Sequence, residues 1–305
     1  MTKIASGVAG LVISCVLATN SASAATKVFL LGGQSNMAGR GQANELAAPY
    51  NAAQTSVKLW SNRTSNAWVD LQSGFGAEAP DFGPEVSFGY AVKQFFPADE
   101  IYLIKYGIPA TNLAFNWKPS GTGTISSAEG YYYNVFQETA NAAINNLIAA
   151  GKSPAIAGML WMQGESDALN TSMANAYEAN LRNLIGAVRT DFATPTMPFI
   201  LGRITTLWGT TANNTKVRTA EDAVGADPTL TSVSTFSTDG LSLWVSPHAY
   251  PNHYDTQGQI ELGNLFASQF APTPEPATFV LAGTGLLALV SRLWRPKFLR
   301  RTWPL

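Results

Sequence analysis

The sequence predicts an α/β fold, a three-layer α/β/α sandwich around a mainly parallel central sheet. Three observations predict it. Apolar runs of strand length alternate with longer stretches of helical periodicity along residues 25–271, which implies parallel strands joined by crossover helices. That body, about 245 residues, is long enough to bury one well-formed core. Polar turns follow several of the apolar runs, at the strand ends where open α/β sheets hold ligands.

The first strand is expected at Val28-Phe29-Leu30-Leu31, four apolar residues stopped by Gly32-Gly33. Ser35 follows where the chain must turn, on a rigid element with backbone N–H groups around it. Residues 57–60 and 101–104 read as further strands, with an apolar-rich helix at 85–96 between them. Over 132–150, Val135, Phe136, Ala140, Ala143, Ile144 and Leu147 recur at helical spacing, and Gly151 closes the helix. Residues 155–162 form the next strand and 172–192 a helix. Strands at 199–204 and 230–233 flank a helix at 214–224. Asp255 caps a last helix that runs through Ile260, Leu262 and Phe266.

Composition narrows the chemistry. Charged residues make up 13% of the 305 residues and the formal net charge is −1, so the basic surface that nucleic acid requires is missing. The single cysteine, Cys15, lies in the leader, and the body therefore carries neither disulfide nor thiolate chemistry. With only His248 and His253, no histidine-based metal cluster is expected, and neither a phosphate-binding nor a dinucleotide fingerprint is present. No metal or cofactor is implied.

Both ends read as addresses. Residues 1–24 combine Lys3, an apolar run and Ala22-Ser23-Ala24, the pattern of a secretory signal peptide; Val12-Ile13-Ser14-Cys15 offers a looser lipoprotein-type alternative. Residues 272–305 begin with the stiff Pro272-Thr273-Pro274-Glu275-Pro276. An apolar run shorter than a comfortable membrane span follows, then Arg292, Arg295, Lys297, Arg300 and Arg301. This tail resembles the PEP-CTERM sorting signal of Gram-negative bacteria. The resemblance implies export to the cell envelope or beyond, transient membrane association through the tail, and an exosortase-type partner.

Three blocks carry the chemistry: Gly33-Gln34-Ser35-Asn36-Met37, Gln163-Gly164-Glu165-Ser166-Asp167, and His253-Tyr254-Asp255-Thr256-Gln257-Gly258-Gln259. In that order they resemble the SGNH-type carbohydrate esterases that include acetylxylan esterases and sialate O-acetylesterases. Phe82-Gly83-Pro84-Glu85 and 106–117 are further landmarks. The resemblance implies the flavodoxin-like SGNH hydrolase version of the sandwich and an exported serine esterase. Its substrate is then an acetylated carbohydrate, polysaccharide or sialoside, deacetylated through an acyl-enzyme.

Ser35 is then the nucleophile and His253 its base, because a serine hydroxyl attacks only when an imidazole takes its proton. The family commonly carries Asp three residues before this histidine, where Tyr250 stands here. Glu165 is the first expectation for the triad acid and Asp239 the alternative. The expected oxyanion donors are the Ser35 amide, the Ala110 amide (Pro109 before it has no N–H) and the side-chain amide of Gln163. Tyr250 and Pro109 support an alternative reading, a catalytically weak or inactive polysaccharide-binding surface protein on the same fold. Trp60, Trp68, Trp117 and 131–133 are candidate stacking faces for sugar rings.

Overall fold

The computed structural model of the protein describes residues 24–272. The expected signal peptide at 1–24 and sorting segment at 272–305 lie, apart from Ala24 and Pro272, outside the described residues. Seven strands form one sheet: β1 (Thr26–Gly33), β2 (Gln54–Ser61), β3 (Val69–Leu71), β4 (Glu100–Gly107), β5 (Pro154–Met162), β6 (Phe199–Arg203) and β7 (Val233–Ser237). Their order across the sheet is β3-β2-β4-β1-β5-β6-β7. Every pairing is parallel except β2 with β3. The expected sandwich is therefore found, with an antiparallel edge strand that its three residues were too short to announce.

The helices are α1 (Ser35–Ala38), α2 (Glu85–Phe95), α3 (Tyr131–Ala149), α4 (Glu165–Ala168), α5 (Thr171–Asp191), α6 (Thr211–Gly225) and α7 (Thr256–Ser268). Phe29 of β1 meets Phe88 of α2 and Phe270 just beyond α7, ring centroids 5.2 and 5.1 Å away, on one face of the sheet. Trp161 of β5 meets Trp117 edge-on at 5.0 Å, and Trp117 in turn packs on Phe136 of α3. Edge-to-face geometry of this kind is what aromatic quadrupoles prefer in a packed core. Asp255 caps α7 as expected, accepting from the Gly258 N–H at 2.8 Å. The last strand begins later than periodicity suggested. Residues 230–233 close a turn, with the Val233 N–H donating to the Leu230 carbonyl, and β7 starts at Val233.

The topology places the site. After β1 the chain runs to the β2-β3 edge, returns to β4 on one side of β1, and then crosses to β5 on the other. Beyond the carboxyl end of β1 the connections diverge, and such a switch point opens a crevice. Gly33 pairs with both Gly107 and Met162, so three loops leave the sheet at one level.

Candidate active site

Ser35 opens α1 directly after β1, and Gly33 makes that turn possible. Its φ is +147°, and a Cβ there would lie 2.1 Å from the Met162 carbonyl oxygen. Only glycine fits such a close backbone approach. The Gln34 N–H donates to the same Met162 carbonyl at 3.0 Å, locking the turn to the end of β5. Behind α1, Lys105 is buried and donates to the Ala38 carbonyl at 2.7 Å and to Glu85 at 2.7 Å. Burial lowers the Lys105 pKa and the Glu85 carboxylate opposes that shift. This buried pair fixes the far end of the serine helix.

His253 comes from the 238–255 segment, and its Nε2 lies 2.9 Å from Ser35 Oγ. Tyr250-Pro251-Asn252-His253 forms a tight turn: the His253 N–H donates to the Tyr250 carbonyl at 3.4 Å, and Asn252 has φ +70°. Proline second and a left-handed asparagine third are the residues a type II turn favours. The turn also brings His253 Nδ1 within 3.3 Å of that carbonyl. An Nδ1–H donating there leaves the Nε2 lone pair for the serine proton. Burial lowers the His253 pKa, the Tyr250 carbonyl opposes this, and the Arg40 charge adds to the lowering.

Neither expected acid reaches His253. Glu165 is buried in the cavity wall and accepts from Asn36 Nδ2 at 2.6 Å; its other oxygen has no partner among the described residues. Burial pushes its pKa up to about 7. Asn36 Oδ1 accepts from the Tyr254 N–H at 3.3 Å, so Glu165 touches the histidine segment only through Asn36. Asp239 sits 2.7 Å from Arg203 and 2.8 Å from Arg218, at the surface. What stands at Nδ1 is a main-chain oxygen. The Pro251-Asn252 signal for that turn was present in the sequence, but side-chain matching looks for a carboxylate.

The oxyanion side differs from expectation in one member. Gln163 Nε2 donates to Asp167 Oδ2 at 2.7 Å and lies 3.2 Å from both the Thr111 carbonyl and Gln34 Oε1. Gln163 is wholly buried and does not line the cavity. Its amide is a strut, with Asp167 as the hub. The Asp167 carboxylate also accepts from the Leu113 and Ala114 N–H groups at 2.8 and 3.1 Å, which ties the 108–114 loop to α4. Ala110 lines the cavity with φ +59°, a left-handed conformation that costs an alanine about 1–2 kcal/mol. Its N–H has no acceptor among the described residues.

The cavity over Ser35 holds about 220 Å³ and is lined by Gln34, Arg40, Pro109, Ala110, Trp208 and His253, among others. Trp208, absent from the sequence expectations, stands edge-on to His253 at 5.0 Å. The expected stacking faces mostly serve the core: Trp60, Trp117 and Tyr133 are buried. His248 stacks on Trp244 at 4.0 Å and has no contact with Ser35.

Comparisons with known proteins point to one family and one fold. The family model described as carbohydrate esterase, sialic acid-specific acetylesterase, matches residues 25–272. The PEP-CTERM protein-sorting motif matches residues 272–295. A probable carbohydrate esterase from Arabidopsis thaliana is 25% identical over 261 residues, covering 80% of this chain and 90% of that protein. A crystal structure of an Arabidopsis thaliana protein superposes with a TM-score of 0.64 at 25% identity, covering 80% of this chain and 97% of that one. NanS superposes with a TM-score of 0.59 at 12% identity, over 81% of this chain and 97% of its own. For the carbohydrate acetylesterase XAC1771 from Xanthomonas citri the TM-score is 0.51 at 16% identity, over 79% of this chain and 55% of that one. The last two likenesses are of fold.

Proposed function

The chain belongs to the carbohydrate esterase family of sialic acid-specific acetylesterases, and from that premise we propose that it is an exported serine esterase that removes O-acetyl groups from carbohydrate. The observation that carries this reading is the 2.9 Å contact between His253 Nε2 and Ser35 Oγ at the floor of an open cavity. Ser35 Oγ attacks the acetyl carbonyl while His253 Nε2 takes its proton. The oxyanion forms against the N–H groups of Ser35 and Ala110, donors worth about 3 kcal/mol each where such sites have been mutated. Collapse expels the sugar oxygen, which receives the proton from His253, and leaves Ser35 acetylated. Water, deprotonated by His253, then releases acetate and restores the serine.

The Tyr250 carbonyl takes the triad acid's place in orienting the ring. It fixes the tautomer, a role of the triad acid whose loss costs about 10⁴ in kcat in a serine protease. It carries no full negative charge and so stabilises the transient imidazolium less than a carboxylate would. Glu165 and Asp167 are assigned a positioning role: the first holds Asn36 between the serine and histidine segments, the second holds the Ala110 loop. The proposed organisation is a signal peptide at 1–24, an esterase body at 25–271 and a sorting segment at 272–305. The matched PEP-CTERM motif indicates export and sorting at a bacterial cell envelope. A Gram-negative host, exosortase processing and transient membrane association through the tail are part of the proposal.

The test is acetate release from an aryl acetate and from acetylated xylan by wild type and Ser35→Ala. The variant is expected to fall to the uncatalysed rate, and equal release from both proteins refutes the esterase reading. A second reading, a surface protein that binds polysaccharide without turnover, is favoured by the missing carboxylate at His253 Nδ1 and by the engaged Gln163 amide. It requires glycan binding with no acetate release from the wild type.

A further inference from the structure

We propose that a second groove, at the same end of the sheet as Ser35, binds the polysaccharide chain whose acetyl ester the catalytic site cleaves, an inference that rests on the esterase reading above. The catalytic cavity, about 220 Å³, falls below the roughly 300–1,000 Å³ of ordinary ligand sites. It has room for little beyond the acetyl group and the ring that bears it, so a polymer must find the rest of its hold elsewhere. A groove between the first turns of α3 and the 122–124 loop holds about 550 Å³. Tyr131, Asn134, Glu138 and Asn141 recur at helical spacing and lay one stripe of α3 along it, and Thr122 and Thr124 line the other wall. Tyr131, one of the stacking faces expected from the sequence, is half-buried here, and Tyr132 packs edge-on against it at 5.1 Å.

The lining has the chemistry of a sugar receptor. The Tyr131 ring offers a face to sugar C–H groups, while hydroxyls, amides and one carboxylate offer donors and acceptors to neighbouring sugar hydroxyls. Among the described residues no cation lines the groove, which argues against nucleic acid as its occupant. The loop wall is already ordered. Asn134 Nδ2 donates to the Gly121 and Gly123 carbonyls at 3.3 and 3.1 Å, and the Gly123 N–H donates to the Glu129 carbonyl at 2.9 Å. A wall held in this way loses less entropy when a chain binds. Position joins the groove to the catalytic site. β4 ends at Gly107, in register with Gly33, and α3 sets out from that end of the sheet at Tyr131. Between them the Leu113 and Ala114 N–H groups donate to Asp167, and the Phe115 and Asn116 carbonyls accept from the Gly130 and Tyr132 N–H groups at 2.8 and 3.2 Å. One segment therefore ties the oxyanion loop to the groove, and its Phe115 side chain stands exposed between the two.

The experiment measures acetate release from acetylated xylan and from an aryl acetate by wild type, Tyr131→Ala and Asn141→Ala. Binding of the same xylan by Ser35→Ala, with and without Tyr131→Ala, is measured alongside. Tyr131→Ala is expected to raise KM on the polymer about three- to tenfold, the scale of one lost aromatic contact. Its kcat on the polymer and its aryl acetate cleavage should stay within about twofold of wild type, because the groove holds the chain away from the reacting atoms. Asn141→Ala, which trims an exposed side chain, should raise the same KM by a smaller factor. Xylan binding by Ser35→Ala should weaken as much when Tyr131→Ala is added. An unchanged polymer KM in both variants, or an aryl acetate loss as large as the polymer loss, overturns the groove and keeps the esterase reading. A wild type that cleaves no aryl acetate overturns the esterase reading. The Ser35→Ala binding measurement then decides the groove, which falls if Tyr131→Ala leaves that binding unchanged.

Discussion

Replacing Glu165 with glutamine separates a catalytic acid from a buried strut. Gln keeps the shape, and its carbonyl oxygen can still accept from Asn36 Nδ2, which lies 2.6 Å from Glu165 Oε1. If Glu165 only positions Asn36, Glu165→Gln retains acetate release within a few-fold of wild type. A catalytic acid behind the histidine would instead cost about 10⁴ in kcat, the scale of the corresponding exchange in a serine triad. The same substitution has a thermodynamic signature. Burial raises the Glu165 pKa from 4.5 to about 7. A carboxyl that holds its proton more tightly when folded contributes stability that is complete below pH 4.5 and lost as pH rises through 7. A shift of that size corresponds to roughly 3 kcal/mol. Wild type should therefore lose about that much more stability than Glu165→Gln between pH 4.5 and 8. Urea denaturation of both proteins across this range reads the difference, because the other buried carboxyls are shared by both. Parallel stability profiles, or a thousandfold loss of acetate release in the variant, would refute the reasoning.

Two other outcomes follow from the same geometry. His253 must be neutral to accept the Ser35 proton, and burial lowers its pKa below the ordinary 6.5. The acid limb of kcat/KM should therefore have its midpoint below pH 6.5, and a midpoint above 7 in a pH–rate profile on an aryl acetate contradicts this environment. Lys105→Met leaves Glu85 buried without its cation and frees the Ala38 carbonyl. It should cost about 3–5 kcal/mol in urea denaturation, with part of the loss recovered by adding Glu85→Gln.

How legible the site was in the sequence depends on what kind of contact carries each role. Ser35 and His253 stand in local motifs whose residue types announce a nucleophile and a base, and the alternating apolar runs placed both beyond strand ends. The Tyr250 carbonyl was invisible to that method, because every residue has a carbonyl and only the turn decides where it points. Glu165 and Gln163 were misplaced for a related reason. A carboxylate and an amide beside a catalytic motif read as chemistry, whereas their actual partners, Asn36 and Asp167, depend on how three loops pack at one end of the sheet. Arg40 and Trp208 carried no local signal.

The sequence by itself determined the α/β class, the order of the long strands and helices, the Gly33 turn and the choice of Ser35 and His253 as the side chains proposed for nucleophile and base. These depend on periodicity and on local backbone preference, which act over a few residues. Tertiary structure alone decided which groups surround them. The parallel register sets Gly33, Gly107 and Met162 side by side. The 238–255 segment then folds over that edge and brings His253 to Ser35 across 218 residues of chain. Distances of that kind are fixed by the packing of the whole sheet, and no short stretch of sequence encodes them.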